Sequence, residues 1–159
     1  MLKSPTVTDD DRTALSELER ITGTAVYDYG MDIFGATDNL SACTPESIIN
    51  TDFKKYDENG VSFGVGQAEV VTTADLPDVL PKLLKALEKQ KNADGLDWAM
   101  LLITDIIKEE SVLICTGFEA AEKRFSYRRS APHCFLLPGV LSRKKQLLPE
   151  ILRIVEELG

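Results

Sequence analysis

The residues best suited to chemistry are Ser142, Arg143, Lys144, Lys145 and Gln146, which follow Gly139-Val140-Leu141. Arginine offers a flat fork that matches two phosphate oxygens, and lysine offers a mobile point charge. Pro149 cannot lie deep in a helix, so the amphipathic C-terminal helix is expected to begin near 146–148. The three cations then sit just before a helix N-terminus. Free backbone N–H groups and the positive end of the helix dipole face the same space there. The chemistry this suits is capture of a small anion. As pattern alone, the run reads equally as a solvated basic turn.

The charge around the motif sharpens the choice of ligand. The 159 residues carry a formal net charge of −8. Between Lys123 and Lys145 there are seven Lys or Arg and no Asp or Glu, so the remaining chain carries −15. An acidic body repels long nucleic acid over most of its surface, and a small, highly charged anion fits better. No apolar run approaches the roughly 20 residues of a membrane span, and the polar, acidic start is not a signal peptide. Cys43, Cys115 and Cys134 form no C-x-x-C pair and read as buried free thiols of a reducing cytoplasm.

Other chemistries lack their residues. The sole histidine, His133, reads as structural, and no clustered Asp/His pattern offers a metal site. Asp9, Asp10 and Asp11 read as helix N-terminal charge. There is no nucleophile elbow and no P-loop. Gly64-Val65-Gly66 lacks the rest of a dinucleotide fingerprint and marks a close backbone approach or a bulge.

The elements that must position the cations follow from periodicity. Thr8 caps a helix with Ala14, Leu15, Leu18 and Ile21 on one face, ended by Gly23. A second helix is expected over 26–36 with Tyr29, Ile33 and Phe34 inward, and a third begins at Thr44-Pro45-Glu46. Strands are expected over 52–56 and 61–71, joined through Asn59-Gly60, a strong hairpin signal. A helix spans 75–91, with Pro77 in its first turn. WAMLLIT (98–104) and VLICT (112–116) suit central strands covered on both faces and paired antiparallel. A short helix is expected over 119–125, a last strand over 134–137, and then the C-terminal helix. The fold class is α/β: a mixed β-sheet of about five strands with helices packed against it, in a single compact domain.

The stretch Gly139-Val140-Leu141-Ser142-Arg143-Lys144-Lys145-Gln146 resembles the signature of the C-terminal domain, DHHA2, of family II inorganic pyrophosphatases. Lys3-Ser4-Pro5-Thr6, Tyr29-Gly30-Met31, Leu40-Ser41, Asp52-Phe53-Lys54, Val65-Gly66-Gln67 and Ile103-Thr104-Asp105-Ile106 are similar to that domain in the same order, over essentially the whole chain. The resemblance implies a lead-in, residues 1–7, from an N-terminal DHH domain absent from this sequence. Residues 8–159 would then form a DHHA2-type substrate-binding domain. It implies that Mn2+ (or Co2+ or Mg2+) is held by the absent domain and none by this chain. It also implies that a metal-bridged water attacks pyrophosphate, that this chain alone is inactive, and that the setting is cytoplasmic. By the same resemblance Lys54, Arg143 and Lys144 bind substrate, and Ser142 and Gln146 support them by capping or hydrogen bonding. Stabilising the leaving phosphate's growing charge is work that preplaced cations do well.

Sequence pattern alone does not choose between Lys54 and Lys55, which point to opposite faces of a strand. Two departures from the family pattern stand out: Glu69 where a smaller or neutral polar residue is expected, and Pro138 where a lysine is expected. Two other readings compete. One is an exopolyphosphatase-like phosphoesterase whose longer substrate engages Arg124, Arg128 and Arg129. The other is a noncatalytic module whose basic segment holds an acidic partner.

Overall fold

A computed structural model describes residues 7–26, 28–30 and 40–158. Residues 27 and 31–36 of the expected second helix, Ile33 and Phe34 among them, and residues 1–6 of the 1–7 lead-in lie outside the described residues. Helix α1 (Asp9–Thr22) starts as its sequence dictates. Thr8 and Asp11 form a reciprocal capping box, and Gly23 closes the helix in the left-handed region at φ 65°. Its apolar face does not bury: no residue of α1 is buried, and Leu18 and Ile21 are exposed. Tyr29, expected inward, is exposed as well. Helix α2 (Pro45–Asn50) is capped by Thr44 and buries Ile48 and Ile49.

Strands β1 (Phe53–Glu58) and β2 (Val61–Val70) form an antiparallel hairpin. Asn59 and Gly60 both have positive φ (48° and 77°), the geometry a two-residue hairpin turn demands. Helix α3 (Leu76–Asp94) carries the chain across to β3 (Trp98–Asp105), which pairs parallel with β2. Strand β4 (Glu110–Thr116) returns antiparallel beside β3. After the four-residue helix α4 (Glu119–Glu122) come β5 (Arg128–Ala131) and β6 (Cys134–Pro138). The sheet has six strands in the order β1-β2-β3-β4-β6-β5.

The sixth strand, β5, is the one the sequence pattern misses. Arg128-Arg129-Ser130 is exposed and has no apolar alternation, as suits a short charged edge strand. Every residue of β3 is buried, as a strand covered on both faces requires. One face, with Phe63, Val65, Met100 and Leu113, packs on the C-terminal helix α5 (Leu148–Leu158). The other, with Ala68, Leu101, Ile103 and Ile114, packs on α2 and α3. The domain is thus a mixed sheet between helical layers.

Glycine lets β1 lie close to this second layer. A Cβ on Gly64 would stand 2.2 Å from the Phe53 ring. The Phe53 ring occupies the space that side chains at Gly64 and Gly66 would need. The cysteines divide: Cys115 and Cys134 are buried, but Cys43 is exposed, because it follows a short turn at Leu40–Ala42 rather than lying in a strand. Burial pushes the Cys115 thiol well above its ordinary pKa. Burial, with the Glu122 carboxylate, pushes Cys134 up to about 11.

Candidate substrate-binding site

The motif at 142–146 does not precede a helix. It is itself the first turn, a π-turn over Arg143–Leu147 that runs into α5. The Ser142 carbonyl accepts from both Gln146 N (3.0 Å) and Leu147 N (3.2 Å), which widens the turn. The expectation of free N–H groups at this end is corrected: Ser142 Oγ accepts from Lys145 N at 3.2 Å, and Gln67 Oε1 accepts from Arg143 N at 3.1 Å. With these N–H groups taken, side chains supply most of the donors this turn can offer an anion.

Gln146 braces the loop that leads into the turn. Its Oε1 accepts from Leu141 N and Ser142 N, and its Nε2 donates to the Gly139 carbonyl at 2.8 Å. Ser111 Oγ donates to the Val140 carbonyl at 2.6 Å and shares a hydrogen bond with Thr104, so the loop is also pinned from the sheet below. Ser142 and Gln146 thus spend their polar atoms on shaping the turn.

The three expected cations occupy different settings. Arg143 is 4% exposed. Its Nη1 donates to the backbone carbonyls of Asp52 and Val65 (3.1 Å to the latter), and its Nη2 donates to Asp52 Oδ2 at 2.8 Å. Its Nε is buried with no partner. A buried guanidinium needs such company, because an unpaired charge is costly to desolvate. Lys144, by contrast, is exposed. Lys54 is 59% exposed, with Nζ 4.0 Å from Asp52 Oδ1.

Strand pairing separates Lys54 from Lys55. Lys54 lies opposite Val65 and Tyr56 opposite Phe63, which puts Lys54 on the α5 side of the sheet with the motif. Lys55 lies opposite Gly64 on the other side, where its Nζ meets Asp94 of α3 at 3.3 Å. Lys54 and Arg143 therefore converge on one carboxylate, Asp52, with Lys144 on the same turn. An open cavity of about 500 Å³ lies beside Asp52 and Gln67; its lining includes Cys43, Ser47 and Glu69 but none of the three cations. Glu69 does line this cavity, 3.5 Å from Gln67 Nε2, and brings negative charge to it.

Asp52 and Gln67 are the residues that motif reading passed over. A signal existed for the first: an arginine that is to be buried requires a carboxylate, and Asp52 neighbours the expected Lys54.

The second basic cluster lies elsewhere. Strand β5 is at the opposite edge from β1, five strand spacings away, or roughly 24 Å. Arg129 is 3.5 Å from the buried Glu122 and stacks over Phe135; Arg124 is 3.9 Å from Glu157. His133, at φ 60°, places Nδ1 3.2 Å from Glu122. These cations do not join Lys54 and Arg143. Among the described residues no group of three or more His, Cys, Asp or Glu is placed to hold a metal ion. No described helix is long and apolar enough to cross a membrane.

Comparison with known proteins gives this arrangement a context. Residues 31–154 match the DHHA2 domain family. The chain is 38% identical over 155 residues to a manganese-dependent inorganic pyrophosphatase of Methanocaldococcus jannaschii, and 37% identical over 154 residues to one of Methanothrix thermoacetophila. These alignments cover 96% and 95% of the chain and 50% of each relative. The chain thus spans about half the length of the curated relatives it matches. A solved structure of a Methanococcus jannaschii protein assigned to the family II inorganic pyrophosphatases superposes with a TM-score of 0.79 at 35% identity. It is covered to 50%, while 98% of this chain is matched.

Proposed function

The chain belongs to the DHHA2 domain family, and from that premise we propose that it is the substrate-gripping C-terminal domain of a manganese-dependent inorganic pyrophosphatase acting in the cytoplasm. Residues 8–159 form the gripping domain, and residues 1–7 lead in from a DHH domain. The observation that carries the reading is the meeting of Lys54 and Arg143 at the Asp52 carboxylate, with exposed Lys144 next to Arg143 on the same turn.

Their work is electrostatic. Lys54 and Lys144 have mobile, exposed ammonium groups that can follow phosphate oxygens, and Arg143 supplies a planar fork. Cations placed beforehand stabilise charge that grows on a leaving phosphate and need no reorganisation when it appears. Gln67, Ser142 and Gln146 hold the turn that presents two of the three. The described residues hold no group of three or more His, Cys, Asp or Glu placed for a metal ion, and the reading assigns the metal chemistry to the partner domain.

A longer polyphosphate engaging Arg124, Arg128 and Arg129 is disfavoured by the width of the sheet between the two edges. A noncatalytic acidic-partner module finds no specific support, because Glu122 and Glu157 already face two of those arginines.

The test is reconstitution. The chain is mixed with the separately prepared, manganese-loaded N-terminal domain of its parent protein, and phosphate release from pyrophosphate is measured. Activity in the mixture alone, lost with Lys144→Ala, is the expected result. Activity of this chain by itself would refute the division of labour. A covalently joined two-domain protein that remains inactive would refute the family function.

A further inference from the structure

We infer that Asp52 is the resting occupant of the phosphate site: its carboxylate stands in for an anion between Lys54 and Arg143, and an incoming phosphate must displace it from the guanidinium. The inference rests on the reading of this edge as an anion site.

Arg143 as it stands presents no open fork to a ligand. Nη1 donates to the backbone carbonyls of Asp52 and Val65, Nη2 spends one of its two hydrogens on Asp52 Oδ2, and Nε is shut away from solvent. An arginine so placed cannot take phosphate through two parallel hydrogen bonds without first exchanging a partner. The backbone carbonyls of Asp52 and Val65 are fixed by the hairpin, where Asp52 O also accepts from Gln67 N at 3.1 Å. The exchangeable partner is the Asp52 carboxylate. It is 46% exposed on a loop just ahead of β1, lines the cavity, and is held by one ion pair at 2.8 Å and a looser one at 4.0 Å. Its Oδ2 meets Arg143 and its Oδ1 faces Lys54, so the carboxylate spans the two cations as two oxygens of a phosphate would.

Two consequences follow. First, the buried cation is never left without a counter-charge, which would be costly in the empty site. Second, every anion must outcompete an internal one. This weakens all of them by a common factor and sets a threshold that singly charged solutes with few contacts fail to reach. Glu69, on the same cavity, adds to the threshold without touching the arginine.

Calorimetric titration of pyrophosphate into the 159-residue chain tests this, with Asp52→Asn and Lys54→Ala alongside. Asparagine keeps the shape and an acceptor for Nη2 but removes the competing charge. Folded Asp52→Asn is expected to bind pyrophosphate roughly fivefold more tightly, the scale of one half-exposed ion pair, while Lys54→Ala binds more weakly. Unchanged or weaker binding by Asp52→Asn, with binding by the original chain intact and lost in Lys54→Ala, overturns the role of Asp52 and leaves the anion site standing. No binding by the original chain overturns both. If Asp52→Asn does not fold, the carboxyl carbon resonance of Asp52 in the original chain decides. It must shift with pyrophosphate together with the Arg143 guanidinium signals; a stationary Asp52 resonance while Lys54 responds overturns the proposal.

Discussion

Two edges of one sheet carry basic residues, and they are built to opposite ends. At the β5 edge two of the three arginines are matched, Arg129 to buried Glu122 and the Phe135 face and Arg124 to Glu157, and His133 Nδ1 also lies beside Glu122. At the β1 edge two lysines stand exposed, and a single half-exposed carboxylate faces both Lys54 and Arg143. The first arrangement uses charge to fasten a hairpin. The second leaves cations in excess of the one carboxylate they share. The density of Lys and Arg along the chain does not distinguish the two; the placement of carboxylates does.

That comparison breaks or sharpens under substitution. The largest effect is expected from Arg143→Ala. It strips three hydrogen-bonded oxygens of their donor, costs about 3 kcal/mol in urea unfolding, and abolishes pyrophosphate binding. Next is Gly64→Ala, whose added carbon meets the Phe53 ring and Leu96. Overpacking of this kind costs about 2 kcal/mol, and by shifting β1 it should weaken anion binding without removing any cation. The paired substitutions Lys54→Ala and Arg129→Ala then separate the two edges. Lys54→Ala should lower pyrophosphate affinity about tenfold and leave thermal stability within about 0.5 kcal/mol. Arg129→Ala should leave affinity alone and cost about 1 kcal/mol, because Glu122 loses a counter-charge.

The smallest effect concerns a carboxylate outside both clusters. The Ser62 backbone N–H and hydroxyl hold Asp97 below the ordinary carboxylate range. Its folded-state pKa is depressed, so its contribution is present above the unfolded value and is lost as pH falls through the folded one. Asp97→Asn should flatten stability below about pH 4, by less than about 1 kcal/mol because the group is exposed and screened.

Much of this was readable from residue order. The helix cap at Thr8, the Asn59-Gly60 hairpin and the buried strand β3 each follow from local rules, and the structure has them where those rules place them. Strand β5 escaped because an exposed charged edge strand has no periodicity to detect. The exposure of Leu18 and Ile21 escaped because a hydrophobic face says that something must cover it, not that a described element does. At the site, the types of residue were readable, but not the partner of Arg143, which sits 91 positions away in sequence. Nor did spacing reveal that the motif coils into a π-turn, because that depends on Gln67 and Ser142 taking up its N–H groups.

The central claim is that the phosphate site lies at the β1 edge and not among the more numerous arginines of the β5 edge. The most direct measurement is a nitrogen–proton correlation spectrum of the chain, titrated with pyrophosphate and read at both edges. The account predicts saturable shifts at Asp52, Lys54, Gln67 and Arg143–Gln146, with Arg128–Ser130 unmoved. Shifts centred on Arg128–Ser130 with a silent β1 edge would contradict it.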